Sequence, residues 1–430
     1  MPELTAVVRD AAEVVVGPPE DGAGGTEGGG SDDATEPLIR RENAAVAVVD
    51  GRVAAVGPSD EVTREYPPEN AEYAVDAAGK SVIPGFVDSH THALFAGDRS
   101  DEFEAKLRGK TYQEIMAEGG GILRTVAATR AADDDALLSN LLGHLDVMLA
   151  HGTTTAEVKS GYGLDTETEL RMLEAIDRAN DRHPVDVVPT FMGAHAVPPD
   201  VDAAEYAEEV VSEQLPAVET QGIAEFCDVF CEEGAFTVEQ SRRVLEAGIE
   251  AGLAPKIHAD EFANLGGSRL AADLGATSAD HLLRSTDEDI DALVEAGVVP
   301  VLLPGTAFAL GAGYADAGAF LDRGAPVAVA TDFNPNCYSQ NMGFAVSLAC
   351  VGMRMTPARA LVAATRNGAL ALDREESLGT LREGAAADLL VLDAPSYVHL
   401  PYNFAVNAVE TVLKGGEVVH AKDGSEATHG

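Results

Sequence analysis

Val82-Ile83-Pro84-Gly85-Phe86-Val87-Asp88-Ser89-His90-Thr91-His92 is the stretch on which the fold turns. An apolar run, 82–88, passes directly into a polar segment carrying two histidines. Seven further strand-like runs follow, at 153–159, 185–192, 226–231, 254–258, 277–281, 298–303 and 326–332. Helical patterns separate them. At 136–150, Leu137, Leu138, Leu141, Leu142, Leu145, Met148 and Leu149 fall on one stripe. Capping-box spacings at Thr166 with Glu169, Thr237 with Gln240 and Ser285 with Glu288 mark three helix starts. Eight β/α repeats across about 250 residues predict an α/β chain built on a (β/α)8 TIM barrel. An open doubly wound sheet is the structural alternative.

Outside this repeat the character changes. Val46-Ala47-Val48-Val49, Asp50-Gly51 and Arg52-Val53-Ala54-Ala55-Val56-Gly57 read as a hairpin on a favoured two-residue turn. Residues 387–392, 409–413 and 417–419 are strand-like again. The expected organisation is a barrel over 81–372 and a small β-sandwich made from both termini, residues 1–80 and 373–430. Gly17 to Glu42 is rich in glycine and acid and poor in apolar residues, which predicts a flexible surface loop.

In a barrel, polar groups at the C-terminal ends of strands are the catalytic candidates. Strand one ends in His90-Thr91-His92, strand five in His258-Ala259-Asp260-Glu261, strand six in Asp280-His281 and strand eight in Thr331-Asp332-Phe333-Asn334. Residues i and i+2 of a strand point the same way, so His90 and His92 can present two imidazoles to one ion. A third histidine and an aspartate from other strands would complete a His3Asp site with room for water.

Composition narrows the class. Hydrophobic residues make up 46% and charged residues 23% of 430, close to globular averages. The formal net charge is −43, which argues against nucleic acid as a partner, because phosphate neutralisation needs a basic surface. The acids are scattered, and only seven of the 29 cations are lysines. That pattern fits halophilic adaptation: molar salt shortens the Debye length to ~3 Å and screens the self-repulsion. No apolar run reaches the ~18 residues of a membrane span, and the first residues lack an export signal. With four cysteines and no disulfide framework, a cytoplasmic location is expected.

The motifs carry a resemblance. Residues 82–92 resemble the opening signature of the amidohydrolase superfamily, and Gly379-Thr380-Leu381-Arg382-Glu383-Gly384 with Ala387-Asp388-Leu389 resembles its closing segment. Phe95-Ala96-Gly97-Asp98-Arg99, the run from Glu157 to Leu164, Phe191-Met192-Gly193-Ala194-His195, His258-Ala259-Asp260-Glu261-Phe262 and Thr331-Asp332-Phe333-Asn334-Pro335 are similar to segments of the branch that opens the imidazolone ring in histidine breakdown. The resemblance implies one Zn or Fe ion per subunit, held by His90, His92, His258 and Asp332. It implies a small-molecule substrate, 4-imidazolone-5-propanoate, contacted by Arg99, Tyr112, Tyr162, His195, Glu261, Asn334, Asn336 and Cys337. The product would be N-formimidoyl-L-glutamate. At Asn336-Cys337 that branch more often shows glycine followed by a small hydroxyl residue. Catalytic roles fall to Asp332 and, for proton delivery, to Glu261 and His281. Arg99 could grip the propanoate as a guanidinium fork, from a 93–135 segment long enough to form a lid.

Other residues read as structure. Lys159 ends strand two, where it is expected to be structural rather than the carbamylated lysine of binuclear relatives. Cys227 and Cys231 are read as packing residues. His144, His151, His183, His399, His420 and His429 are assigned no chemistry. A guanine-type aminohydrolase and a non-enzymatic assembly protein are the competing readings, the latter disfavoured because all four ligand positions are filled. A homodimer is the commonest assembly and so the expected one.

Overall fold

The computed structural model describes residues 3–19, 38–110, 114–115, 118–422 and 427–429. Most of the glycine-rich segment expected to be a loop falls outside the described residues. What is described trims it, since strand β1 (Leu4–Gly17) reaches Gly17 and β2 (Ile39–Val49) begins at Ile39. The remaining strands are β3 (Arg52–Pro58), β4 (Tyr73–Asp76), β5 (Ser81–Pro84), β6 (Phe86–Asp88), β7 (Thr153–Lys159), β8 (Asp186–Ala194), β9 (Phe226–Cys231), β10 (Ala254–Ala259), β11 (Ser278–His281), β12 (Val299–Leu302), β13 (Ala328–Val329), β14 (Leu389–Leu392), β15 (Val409–Lys414), β16 (Glu417–Ala421) and β17 (Ala427–His429).

Two sheets result. A nine-stranded sheet runs β16-β15-β14-β5-β1-β2-β3, with β4 against β1 and β17 against β4. Its strands send alternate residues, among them Val8, Val46, Val82, Leu389 and Leu413, into one shared core. Asp50 and Gly51, at φ 49° and 75°, turn β2 into β3 through the left-handed geometry that a two-residue hairpin requires.

The eight-stranded sheet runs β13-β12-β11-β10-β9-β8-β7-β6. Every strand lies beside its sequence neighbour and the order never reverses, which excludes the doubly wound alternative. Thr91 bridges Phe333 in parallel. The His92 amide donates to the Phe333 carbonyl at 2.9 Å, and the Asp332 amide to that of His90 at 3.0 Å. The chain leaving β6 therefore meets the chain leaving β13, and the barrel is nearly closed. The chain forms two compact units: Met1–Ser89 with Val147–Thr155 and Asn341–Gly430, and His90–Asp146 with Ala156–Gln340.

The opening stretch differs from its reading as one strand. It divides at Gly85, with β5 in the terminal sheet and β6 in the barrel. Pro84 brings no N–H to a ladder. A Cβ on Gly85 would sit 2.3 Å from Thr154 Oγ1, so only glycine passes at the crossing. Two helix starts also move by one residue. The helix Thr166–Asn180 is capped by Asp165, whose carboxylate accepts from the Thr168 amide. The helix Asp287–Ala296 carries its capping box on Thr286 and Asp289 instead of Ser285 and Glu288. The box at Thr237 and Gln240 is as expected. Of the leucine-rich stripe in the helix Asp134–Ala150, all but Leu142 is buried.

Candidate metal centre and active site

Four of the strand-end groups converge. His92 Nε2 lies 3.2 Å from His258 Nε2. Asp332 Oδ1 lies 3.5 Å from His90 Nε2 and 3.7 Å from His92 Nε2. His281 joins the cluster, its ring centroid 5.1 Å from that of His258. Candidate donor atoms of His90, His92 and Asp332, and of His90, His258 and His281, form two sets whose members all lie within 4.8 Å of one another. All are buried. Burial pulls His90 well below the usual imidazole pKa, with Lys159 adding to it, and does the same to His92, where His195 adds to it. Both rings are thus neutral, the form in which imidazole ligates a metal.

Tautomers follow from what lies behind the rings. His90 Nδ1 is 2.6 Å from Asp280 Oδ2, and His258 Nδ1 is 3.1 Å from Asp228 Oδ1. A carboxylate can only accept, so each Nδ1 carries the proton and each Nε2 presents a lone pair to the centre. The His258 Nε2 lone pair faces His92 Nε2 at 3.2 Å, with Asp332 Oδ1 alongside. His90 Nε2, His92 Nδ1 and His281 Nδ1 are buried without a hydrogen-bond partner among the described residues. These residues fit a small cation.

Beneath the histidines lies a charged layer built around Lys159, whose members Asp228 and Lys256 the sequence reading had passed over. Lys159 Nζ sits 2.7 Å from Asp228 Oδ2, 2.8 Å from Glu157 Oε2 and 3.9 Å from Asp280 Oδ2. Lys256 Nζ is 3.0 Å from Glu157 Oε1, and all five side chains have 0% exposure. Burial alone would depress the Lys159 pKa, but Asp228 and Glu157 outweigh it and raise it. A carbamate here would set a negative group against two carboxylates, so Lys159 is an ammonium and not a metal-bridging ligand. On formal charges, three carboxylates exceed two ammoniums by one, and Asp332 adds another. This local surplus of carboxylates over ammoniums favours a bound cation.

Glu261 and His281 face each other, with Oε2 and Nε2 3.7 Å apart. Burial, and then the nearby Asp332, push Glu261 well above the carboxylate range, whereas burial and His258 pull His281 well below 6.5. The backbone is bent to deliver these groups. Asp260, His281 and Asp332 all have positive φ, at 52°, 80° and 51°. Non-glycine residues take such values at a cost, usually where function fixes them. Ser268 and Ser285 hydroxyls hold Asp260. Glu232, another group missed in the sequence, accepts from the Phe262 and Ala263 amides at 2.9 and 3.1 Å and fixes the turn after Glu261.

The expected substrate side is partly assembled. His195 stacks on His92 with centroids 4.7 Å apart and an interplanar angle of 18°, and its Nδ1 is 2.9 Å from the Gly161 carbonyl. Burial, chiefly, lowers its pKa to about 3. The Tyr162 ring lies 5.1 Å from His195 and 5.9 Å from His92. Its loop hangs on Glu169, which accepts from the amides of Gly161, Gly163 and Leu164 at 2.7–2.9 Å instead of closing a capping box. Gly161 is at φ 94°, and a Cβ there would meet His195 Nδ1 at 2.9 Å.

Arg99 is buried at the start of the helix Ser100–Leu107, and its Nε donates to Glu102 Oε2 at 2.8 Å. The Asn334 amide donates to Asp332 Oδ1 at 3.0 Å, and its Oδ1 accepts from the Asn336 and Cys337 amides. Thr306 holds the other oxygen of Asp332. Lys106 donates to Asn336 Oδ1. Cys337 is buried, its thiol 3.7 Å from the Thr331 carbonyl. Tyr112 lies outside the described residues. Cys227 and Cys231 are free and buried, in keeping with packing.

A model of the amidohydrolase family matches residues 81–419, and one of a bacterial imidazolonepropionase-like composite domain matches residues 44–68. Imidazolonepropionase of Haloarcula marismortui is 68% identical over 97% of this chain and 97% of its own. That of Geobacillus kaustophilus is 50% identical over 88% and 90%. Among solved structures, atrazine chlorohydrolase from Arthrobacter aurescens complexed with zinc matches with a TM-score of 0.72 at 17% identity, covering 96% of this chain and 95% of that one. E. coli guanine deaminase matches at 0.68 and 16%, covering 97% and 99%. At such identities these two speak for the fold alone.

Proposed function

The chain belongs to the amidohydrolase family and, within it, to the imidazolonepropionases, and we propose that its buried histidine cluster is the metal centre on which that hydrolysis depends. The protein is a hydrolase of histidine degradation that acts on a small molecule. The substrate we assign is 4-imidazolone-5-propanoate, opened to N-formimidoyl-L-glutamate. His90, His92, His258 and Asp332 would hold one Zn or Fe(II) ion, both of which suit this donor set. The observation that carries the reading is the convergence of His92 and His258 Nε2, 3.2 Å apart, with Asp332 Oδ1 and the buried, unpartnered His90 Nε2.

Ring opening breaks the amide C–N bond, places the oxygen of water on the carbonyl carbon and a proton on the departing nitrogen. A bound divalent ion lowers the pKa of water from about 15.7 to about 7 and so supplies a nucleophile at neutral pH. The chain's own groups handle the rest. Burial raises the Glu261 pKa and so favours its protonated form, and Glu261 and His281, 3.7 Å apart, share the proton transfers. Tyr162 and His195 wall the ring site, and Arg99 grips the propanoate, kept in place by Glu102. Asn334 steadies Asp332, Asn336 and Cys337 shape the loop beside it, and Tyr112, outside the described residues, is assigned as a further substrate contact.

No helix among the described residues is long and apolar enough to cross a membrane. We assign the protein to the cytoplasm of a salt-rich cell, as a homodimer, with folding domains at 1–80 joined to 373–430 and at 81–372. Supporting this are its scattered acidic charge and four free cysteines. The direct test follows the absorbance of 4-imidazolone-5-propanoate, with guanine as the comparison substrate. Turnover of the first and none of the second is expected; the reverse would replace the substrate assignment.

A further inference from the structure

Lys159 is buried at the end of β7, pointing into the barrel beneath the histidines, yet the proposed chemistry gives it nothing to do. Its geometry is specific. Asp228 divides its two oxygens: Oδ2 meets Lys159 Nζ at 2.7 Å, and Oδ1 accepts from the His258 backbone amide at 3.2 Å and from His258 Nδ1 at 3.1 Å. The carboxylate is thus pinned on both sides, by the ammonium below and by the candidate ligand above. Lys159 is pinned in turn. Glu157 Oε2 lies 2.8 Å from it, and Glu157 Oε1 is held by Lys256 at 3.0 Å and by the Thr190 hydroxyl at 2.6 Å.

The result is a buried line of alternating charge, Lys256–Glu157–Lys159–Asp228, ending on the imidazole of His258. Remove the ammonium and Glu157 and Asp228 are left as two carboxylates facing one slot with no solvent to screen them. Repulsion would then turn Asp228 off the Oδ1–Nδ1 axis, and the His258 ring would lose the partner that fixes its tautomer and direction. Outer partners of a metal-bound histidine commonly govern affinity by 10–100-fold.

We infer that Lys159 is a positioning residue of the metal centre: its ammonium holds Asp228 in the rotamer that aims His258 Nε2, and so sets the affinity for the ion. The inference rests on the proposed ligation by His258. Asp280, 3.9 Å from Nζ, is a weaker branch of the same arrangement toward His90.

The test is a double-mutant cycle read by zinc affinity, with metal-free enzyme competing against a fluorescent zinc chelator. Wild type, Lys159→Met, Asp228→Asn, the double variant and His258→Ala are compared, and near-UV circular dichroism checks each fold. Lys159→Met should bind zinc roughly 10–100-fold more weakly. If Lys159 acts through Asp228, the double variant should match Asp228→Asn within about twofold, because the losses overlap instead of adding. Should the single lysine variant fail to fold, the double variant removes both charges of the pair and carries the same comparison. Wild-type zinc affinity in folded Lys159→Met, or a double variant weaker than Asp228→Asn by a further tenfold, overturns the inference. His258→Ala separates the two layers of argument: zinc binding there as tight as in wild type would sink the ligation itself.

Discussion

Two neighbouring layers of one barrel treat buried polarity in opposite ways. In the deeper layer, Glu157, Lys159, Asp228 and Lys256 answer one another at 2.7–3.0 Å with 0% exposure. In the layer at the strand ends, His90, His92 and His281 bury ring nitrogens without a partner among the described residues, and three of the strands bend through positive φ to bring their groups in. Burying polar groups costs free energy unless they are paired. The deeper layer sets each of its carboxylates against an ammonium, Glu157 Oε2 meeting Lys159 as an ion pair alone, whereas the outer layer leaves ring nitrogens with no partner among the described residues. Unsatisfied polarity at this depth marks a binding site, and satisfied polarity directly behind it marks the scaffold that aims the site.

Breaking the outer layer should have the largest effect. His258→Ala or His90→Ala should lose bound metal and lower turnover by more than the roughly 100-fold that outer partners cost; metal analysis alongside the absorbance assay checks both. Next comes Glu261→Gln, which keeps shape and metal but removes the titrating group. Turnover should fall by roughly 10²–10⁴ with metal content unchanged, and loss of metal would instead make Glu261 a ligand. Arg99→Ala should raise KM by roughly 10–100-fold, the value of a charged hydrogen-bonded pair, with kcat little altered. Arg99→Lys, which keeps charge without the fork, should fall between. The smallest effect belongs at an exposed helix start. Thr237→Ala removes the capping box with Gln240 and should cost about 1 kcal/mol of stability, read as a lower Tm with unchanged KM.

The outer layer was legible because its groups stand at strand ends, where the barrel rule directs attention, and because H-x-H on a strand has a simple geometric meaning. The barrel and the terminal sheet were legible from alternating runs and hairpin chemistry. Asp228 and Lys256 were not, although a signal existed: each is a lone charge inside an apolar strand, Phe226–Cys231 and Ala254–Ala259, and a charge so placed needs a partner from another strand. Glu169 was misread because a T-x-x-E spacing fits a capping box equally well, and only the fold shows its carboxylate on the Tyr162 loop. The break at Gly85 was hidden for the same reason, since Thr154, which enforces it, lies far along the chain.

The central claim is that the outer layer is completed by one metal ion and that catalysis depends on it. Purified enzyme should be stripped with a chelator, dialysed, and titrated with Zn²⁺ or Fe²⁺ while loss of 4-imidazolone-5-propanoate is followed. Activity should vanish on stripping and return in proportion to added metal, reaching a plateau at one ion per chain. Full turnover in enzyme shown to be metal-free, or a plateau at two ions, would contradict the account.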